Sequence, residues 1–141
     1  MKVAFYKGRS RIFNRVVSWW LGGIYSHCEL VLWTKNGVSH CISSSFSDGG
    51  VRFKAIVLNP DHWDLVDVGG DVSTAIDWLD THDKDLYDLI GLLGFVWKRQ
   101  DGDQHRWFCS EAVAAMLGFN EPWRFDPMSL YMALTLKDTS K

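Results

Sequence analysis

The chain has no surplus of basic charge: 15 Lys and Arg stand against 17 Asp and Glu in 141 residues, a formal net charge of -2. That excludes the electrostatic footprint of a nucleic-acid binder, and no run of like charge forms a tail. Long apolar runs are missing too. The longest, LIGLLGFVW over residues 89–97, is far short of the roughly 20 residues that a membrane-spanning helix needs. The opening MKVAFYKGRS has neither an extended apolar stretch nor a small-residue cleavage site, so no secretory signal is expected. Cysteine is scarce: there are three, an odd number with no C-x-x-C spacing. A disulfide framework is excluded, and free thiols in a reducing compartment are expected. Cytoplasmic localisation follows, in the host cytoplasm if the source is a bacteriophage. Repeats, low-complexity segments and linkers are absent, so residues 1–141 are expected to form one domain.

What is present is a globular composition, 47% hydrophobic and 23% charged, with eight tryptophans. Tryptophan serves a heavy core or an interface, and core packing is the better reading. Residues 3–6 (VAFY) read as a short strand. Residues 10–21 carry Ile12, Phe13, Val16, Val17 and Trp20 at helical spacing, and Gly22-Gly23 ends that helix. YSHCELVLW (25–33) and VSHCISSS (38–45) read as two strands of a hairpin around Asn36-Gly37. Asp48-Gly49-Gly50 turns into a strand over 51–58, and a further short strand covers 62–68. The second half is helical in pattern: 72–79, 84–99, 110–118 closed by Gly118, and a last helix opened by Asp126-Pro127. A polar loop, QDGDQHR, precedes WFCSEAVAAMLGF. Strands gathered in the middle and helices in separate blocks predict an α+β fold with a central antiparallel sheet packed against helices.

Cys109 falls where the 110–118 helix begins. A thiol is nucleophilic as thiolate, and a helix N-terminus and a nearby imidazolium both lower its pKa. The N–H groups of that first turn can also hold an oxyanion. The competing reading is a small buried residue, since free cysteine is among the most buried types. Of five histidines, His62, His82 and His105 sit in polar contexts. His27 begins a strand, where alternation puts Tyr25, His27, Glu29 and Val31 on one face and Cys28, Leu30 and Leu32 on the core face. Cys28 then reads as a buried apolar filler. A Cys–His pair needs a third group to orient the imidazole. A tight loop over residues 35–37 would pair Thr34 with Val38, Glu29 with Ser43 and His27 with Ser45. His40 would pair with Leu32, roughly 16 Å from His27 at about 3.3 Å per residue. Glu29, Ser43 and Ser45 are therefore better placed than His40, and Glu29 has the better chemistry. His27, Cys28, His40, Cys41 and Cys109 do not suggest a metal site, because the His-Cys neighbours lie on opposite strand faces. No metal and no cofactor are expected.

YSHCELVL followed by a hairpin, then a late FCSE opening a helix, resembles the circularly permuted branch of the papain-like NlpC-type superfamily. That branch includes lecithin:retinol acyltransferase-like proteins and small bacterial and bacteriophage hydrolase-like proteins, and has His first and Cys later. The strand and helix before YSH, the GGVRF strand, YDLIG and DPMSLY extend the resemblance over nearly the whole chain. It implies a papain-like domain in which Cys109 matches the nucleophile and His27 the general base. The third polar position falls on the returning hairpin strand, at Ser43, or at His40 if the loop is read differently, with Glu29 as a substitute. The implied activity is a cysteine-dependent hydrolase or acyltransferase acting on an amide, ester or thioester through a Cys109 acyl-enzyme. Its substrate would be a small acyl, lipid or peptide compound. Trp19-Trp20 and the 89–97 run could line an acyl pocket, although core packing is the better reading. The alternative is a non-catalytic binding or accessory protein on the same fold.

Overall fold

A computed structural model describes residues 1–8, 22–87 and 105–138. The helix expected over 10–21 with Trp19-Trp20, and the apolar run 89–97, lie outside the described residues. Within them the strands are β1 (Lys2–Tyr6), β2 (His27–Lys35), β3 (Val38–Ser45), β4 (Gly50–Ile56), β5 (Trp63–Asp67), β6 (Leu86–Tyr87) and β7 (Arg106–Trp107). The helices are α1 (Val72–His82), α2 (Cys109–Met116) and α3 (Pro127–Asp138), with a 3-10 turn at Pro122–Arg124. The strands make one curled seven-stranded sheet in the order β5-β1-β2-β3-β4-β6-β7. The class is α+β, as expected. The sheet is antiparallel except between β6 and β7, which run parallel. No described helix is long and apolar enough to cross a membrane.

Local chemistry explains the elements. Asn36 and Gly37 both have positive φ (52° and 77°), as the two-residue loop of a type I′ hairpin requires. The loop is therefore one residue shorter than expected, and Lys35 rather than Thr34 closes it, opposite Val38. His40 pairs with Trp33, not Leu32. A bulge between Val31 and Trp33 then takes up one residue, so that Leu30 meets Ile42. Continued by one step, this sets Glu29 opposite Ser43. Helix α1 is capped by Asp71, whose carboxylate accepts from the Ser73 N–H at 3.0 Å. Helix α2 starts directly after Phe108, whose N–H donates to the Glu111 carboxylate at 3.3 Å, and Gly118 (φ 75°) follows its end.

The helices cover one face of the sheet. There Val3, Phe5, Cys28, Leu30 and Ile42 pack with Ala75 of α1, Cys109 and Val113 of α2, and Leu130 and Leu134 of α3. The other face carries a smaller cluster of Ala4, Val31 and Cys41, flanked by Ile56, Leu58 and Trp63. Tyr25 belongs to the helix-side core, not to the His27 face. It precedes β2, so strand alternation does not apply to it. Its hydroxyl donates to Asp64 Oδ2 at 2.7 Å, and Lys7 Nζ meets Asp64 Oδ1 at 2.6 Å. This ties the approach to β2 onto β5.

The helix expected to begin at residue 84 begins instead as strand β6, and the polar loop before Cys109 ends in β7. Tertiary pairing overrides the local pattern here. The Asp85 carbonyl accepts the Val51 N–H at 2.8 Å, and the backbones can approach so closely because residue 50 is glycine. A Cβ on Gly50, whose φ is 153°, would stand 1.9 Å from the Asp85 oxygen. Gly50→Ala is expected to destabilise the protein by on the order of 2 kcal/mol or more, from strain and overlap together. Gly49→Ala, at φ 86° with nothing near its Cβ position, should cost less. Denaturant unfolding of the two variants measures the difference.

Candidate active site

Helix α2 presents Cys109 as its first residue, at the end where backbone N–H groups lack intrahelical partners. His27 is the first residue of β2, at the end of the sheet, so its ring reaches from the open face to the helix side. His27 Nε2 lies 2.7 Å from Glu29 Oε1. The ring and the Cys109 thiol act on each other's ionisation, and with Nε2 on Glu29, Nδ1 is the nitrogen left to serve the sulfur. The structure thus brings together Cys109, His27 and Glu29.

Glu29 is 1% exposed, not the solvent-facing strand charge that its position could also have meant. It is held by Arg52 of β4, whose Nη1 donates to Oε2 at 2.6 Å and Nη2 to Oε1 at 2.5 Å. Arg52 Nε in turn donates to Asp48 at 2.9 Å, and Lys54 to the other Asp48 oxygen at 2.8 Å. The sequence reading missed Arg52. The signal was in the register, because Ser43 pairs with Glu29 on one side and with Arg52 on the other. β2 and β4 are two strand spacings apart, roughly 10 Å, a span that a Glu and an Arg side chain bridge over a small residue.

Ser43 is that small residue. It is fully buried, and its hydroxyl donates to the Cys28 carbonyl at 2.6 Å, not to the imidazole. His40 stands apart from the site, stacked on Trp33 with centroids 4.9 Å apart and on Phe53 at 5.9 Å. Cys28 is buried in the core, as expected, and it is also one of the groups that act on the ionisation of the Cys109 thiol.

The electrostatics separate the three thiols, all of them free. Burial pushes Cys41 up to about 12. Burial, with the Cys109 sulfur beside it, raises Cys28 well above the usual thiol value. Burial opposes ionisation at Cys109 as well. There the hydrogen bond from the Cys28 thiol, the His27 charge and the Cys28 N–H outweigh it and bring the thiol down to about 5. Burial of the His27 ring is likewise outweighed, by the Cys109 sulfur and then Glu29, which raise it to about 10. Both shifts favour the thiolate and imidazolium forms of the pair. Burial would raise the Glu29 carboxyl, but Arg52 and then His27 hold it below its ordinary range.

A cleft of about 360 Å³ opens beside the imidazole, lined by Ser26, His27, Glu29, Arg52, Asp48 and Lys54 and walled by Tyr6, Phe46, Trp63 and Tyr87. The Ser26 hydroxyl is buried and has no hydrogen-bond partner in the described structure. Cys109 is 0% exposed and does not line the cleft. Among the described residues, no three His, Cys, Asp or Glu side chains are grouped to hold a metal.

No family model matches this chain, and no curated protein matches it.

Glu29→Gln is expected to cost about 1.5–3 kcal/mol, because Arg52 loses its two-pronged carboxylate partner and keeps only the Asp48 ion pair. The carboxylate also sets an acid limit. Its folded pKa lies below the ordinary 4.5, so its contribution is fully present above that value and is lost as pH falls through the folded one. Denaturant titrations at descending pH should show this loss in the native protein and a flatter profile in Glu29→Gln.

Proposed function

We propose that this protein is a cysteine-dependent hydrolase or acyltransferase of the papain-like, circularly permuted NlpC-type class. The observation that carries the reading is His27, held by the Glu29 carboxylate at 2.7 Å and acting, with Cys109, to favour the charged forms of both. The thiolate attacks the carbonyl carbon of an amide, ester or thioester. N–H groups of the first turn of α2 meet the oxyanion, and the free Ser26 hydroxyl is a donor for a bound substrate. His27, already protonated opposite the thiolate, gives its proton to the leaving group. As a neutral base it then activates water or another acceptor, which resolves the acyl-enzyme. Glu29 keeps the ring in place and stabilises its charged form, and Arg52 keeps Glu29 in place. The aromatic walls suit an apolar group on a small acyl, lipid or peptide substrate.

The second reading, a binding or accessory protein without chemistry, is favoured by one observation: the thiol is fully buried. An activated ester separates the two. With p-nitrophenyl acetate, the enzyme reading expects an acetyl adduct on Cys109 by mass spectrometry, abolished in Cys109→Ala and slowed ~10²–10⁴-fold in His27→Ala. Absence of any adduct on Cys109 favours the accessory reading.

The ion pair has its own signature, independent of access to the sulfur. Thiolate ultraviolet absorbance, taken as the difference between the native protein and Cys109→Ala, should rise with a midpoint near pH 5. In His27→Ala the midpoint should move up towards the ordinary thiol value. A native midpoint near 9 would sink the assignment.

A further inference from the structure

The cleft beside His27 holds hydrogen-bond donors that the protein itself leaves unused. Its anions are fully engaged. Glu29 Oε2 accepts from Arg52, and Oε1 accepts from Arg52 and meets His27 Nε2. Asp48 Oδ2 accepts from Arg52, and Oδ1 from Lys54. Ser26 also lines the cleft; it is 5% exposed, and its buried hydroxyl has no partner in the described structure. Its N–H donates to the Tyr6 carbonyl at 3.0 Å, so the backbone that carries the hydroxyl is fixed. An unpaired buried hydroxyl costs the free protein stability that a bound acceptor restores. The Lys54 ammonium spends one donor on Asp48 and keeps others, with its side chain 48% exposed. Ser45 and Ser47 share one hydrogen bond between two hydroxyls, which leaves a second proton to donate. The cleft is therefore set to meet acceptors, and neither of its carboxylates is open to a cation. Arg52 and His27 are committed to Glu29 and Asp48. Lys54 is the cation among the described lining residues with charge to spare, which matches a monoanion better than a phosphate dianion. The walls include two aromatic pairs, Tyr6 with Trp63 at 5.0 Å between centroids and Phe46 with Tyr87 at 5.8 Å. The volume, about 360 Å³, lies at the low end of small-molecule sites.

We propose that the cleft is a binding site for a small carboxylic acid carried on an aromatic body through an amide, a ligand of the N-aroyl amino acid class. The carboxylate pairs with Lys54, the amide carbonyl accepts from the Ser26 hydroxyl, and the ring packs among the aromatic walls. The carboxylate and the ring follow from the cleft alone. The amide rests on the proposed function, in which the bond brought beside His27 is the one that reacts. Ser26 is then a recognition residue held ready at a cost to the free protein, and Lys54 sets the preference for an anion.

N-benzoylglycine and its uncharged counterpart, N-benzoylglycinamide, are titrated into the purified protein by calorimetry. The acid is expected to bind roughly three- to fivefold more tightly than the amide, the range of a half-exposed ion pair. Lys54→Gln should erase that preference and leave the affinity for the amide as it was. Ser26→Ala should weaken both ligands roughly tenfold. It should also raise the Tm of the ligand-free protein, because an unpaired buried hydroxyl is removed. A serine that served the fold alone would lower Tm when replaced. Equal affinity for acid and amide, a preference that survives Lys54→Gln, or binding of neither ligand overturns the proposal. So does a Ser26→Ala protein with lowered Tm or with unchanged affinity. If that variant does not fold, the two ligands on the native protein and on Lys54→Gln decide. None of these titrations needs access to the Cys109 sulfur. If p-nitrophenyl acetate leaves no adduct while the acid binds with this pattern, the acyl-transfer reading fails and the binding site stands. If the adduct forms and the pattern is absent, the reverse holds.

Discussion

A carboxylate cannot stay charged in a sheet interior unless cations and hydrogen bonds replace the water it loses. Glu29 meets that condition through the two-pronged grip of Arg52 and the imidazole of His27. Much of the surrounding structure follows from it. β3 must carry a small side chain between the partners, and Ser43 supplies one. The turn from β3 to β4 must bring Asp48 to the outer edge of the guanidinium, so that the cation is itself neutralised. With both carboxylate oxygens fixed, the imidazole has one orientation, and its remaining nitrogen faces the start of α2. The imidazole held there is, after Cys28, the group that lowers the Cys109 thiol.

The sheet divides this chemistry between its two faces. The helix side is buried core and holds Cys28 and Cys109, whereas the open side holds the Glu29–Arg52–Asp48 ion pairs and the aromatic-walled cleft. His27 belongs to both because it stands at the end of its strand, where no neighbouring residue of β2 blocks passage of the ring. A low-dielectric setting strengthens the attraction between thiolate and imidazolium. The same setting keeps the sulfur away from water. The Cys109 sulfur is thereby fully buried and still lowered in pKa.

The hairpin shows how far the pattern could be read. Asn-Gly placed the turn, and alternation placed Cys28, Leu30 and Leu32 in the core. The loop length was one residue too long, and the bulge at Leu32 restored the register before Glu29. The expected Glu29–Ser43 opposition is therefore recovered although Thr34 and His40 have other partners. β6 and β7 were illegible because two-residue strands have no period. They exist only through the close approach of Asp85 to Gly50. Arg52 was hidden for a different reason: its partner lies on a strand two places away, and no local spacing encodes that.

The sequence by itself determined the α+β class, the hairpin, the core face of β2 and the position of Cys109 at a helix start. These depend on neighbours a few residues apart, which periodicity and turn chemistry report directly. Only the tertiary structure decided which of Glu29, Ser43 and His40 holds the imidazole and which cation neutralises that group. Arg52 comes from a strand 23 positions further along the chain, and Glu29, two residues from His27, is singled out because Ser43 turns to the Cys28 carbonyl and His40 stacks on Trp33. The energies of these contacts come from burial and charge pairing, which exist only once the strands and helices are assembled.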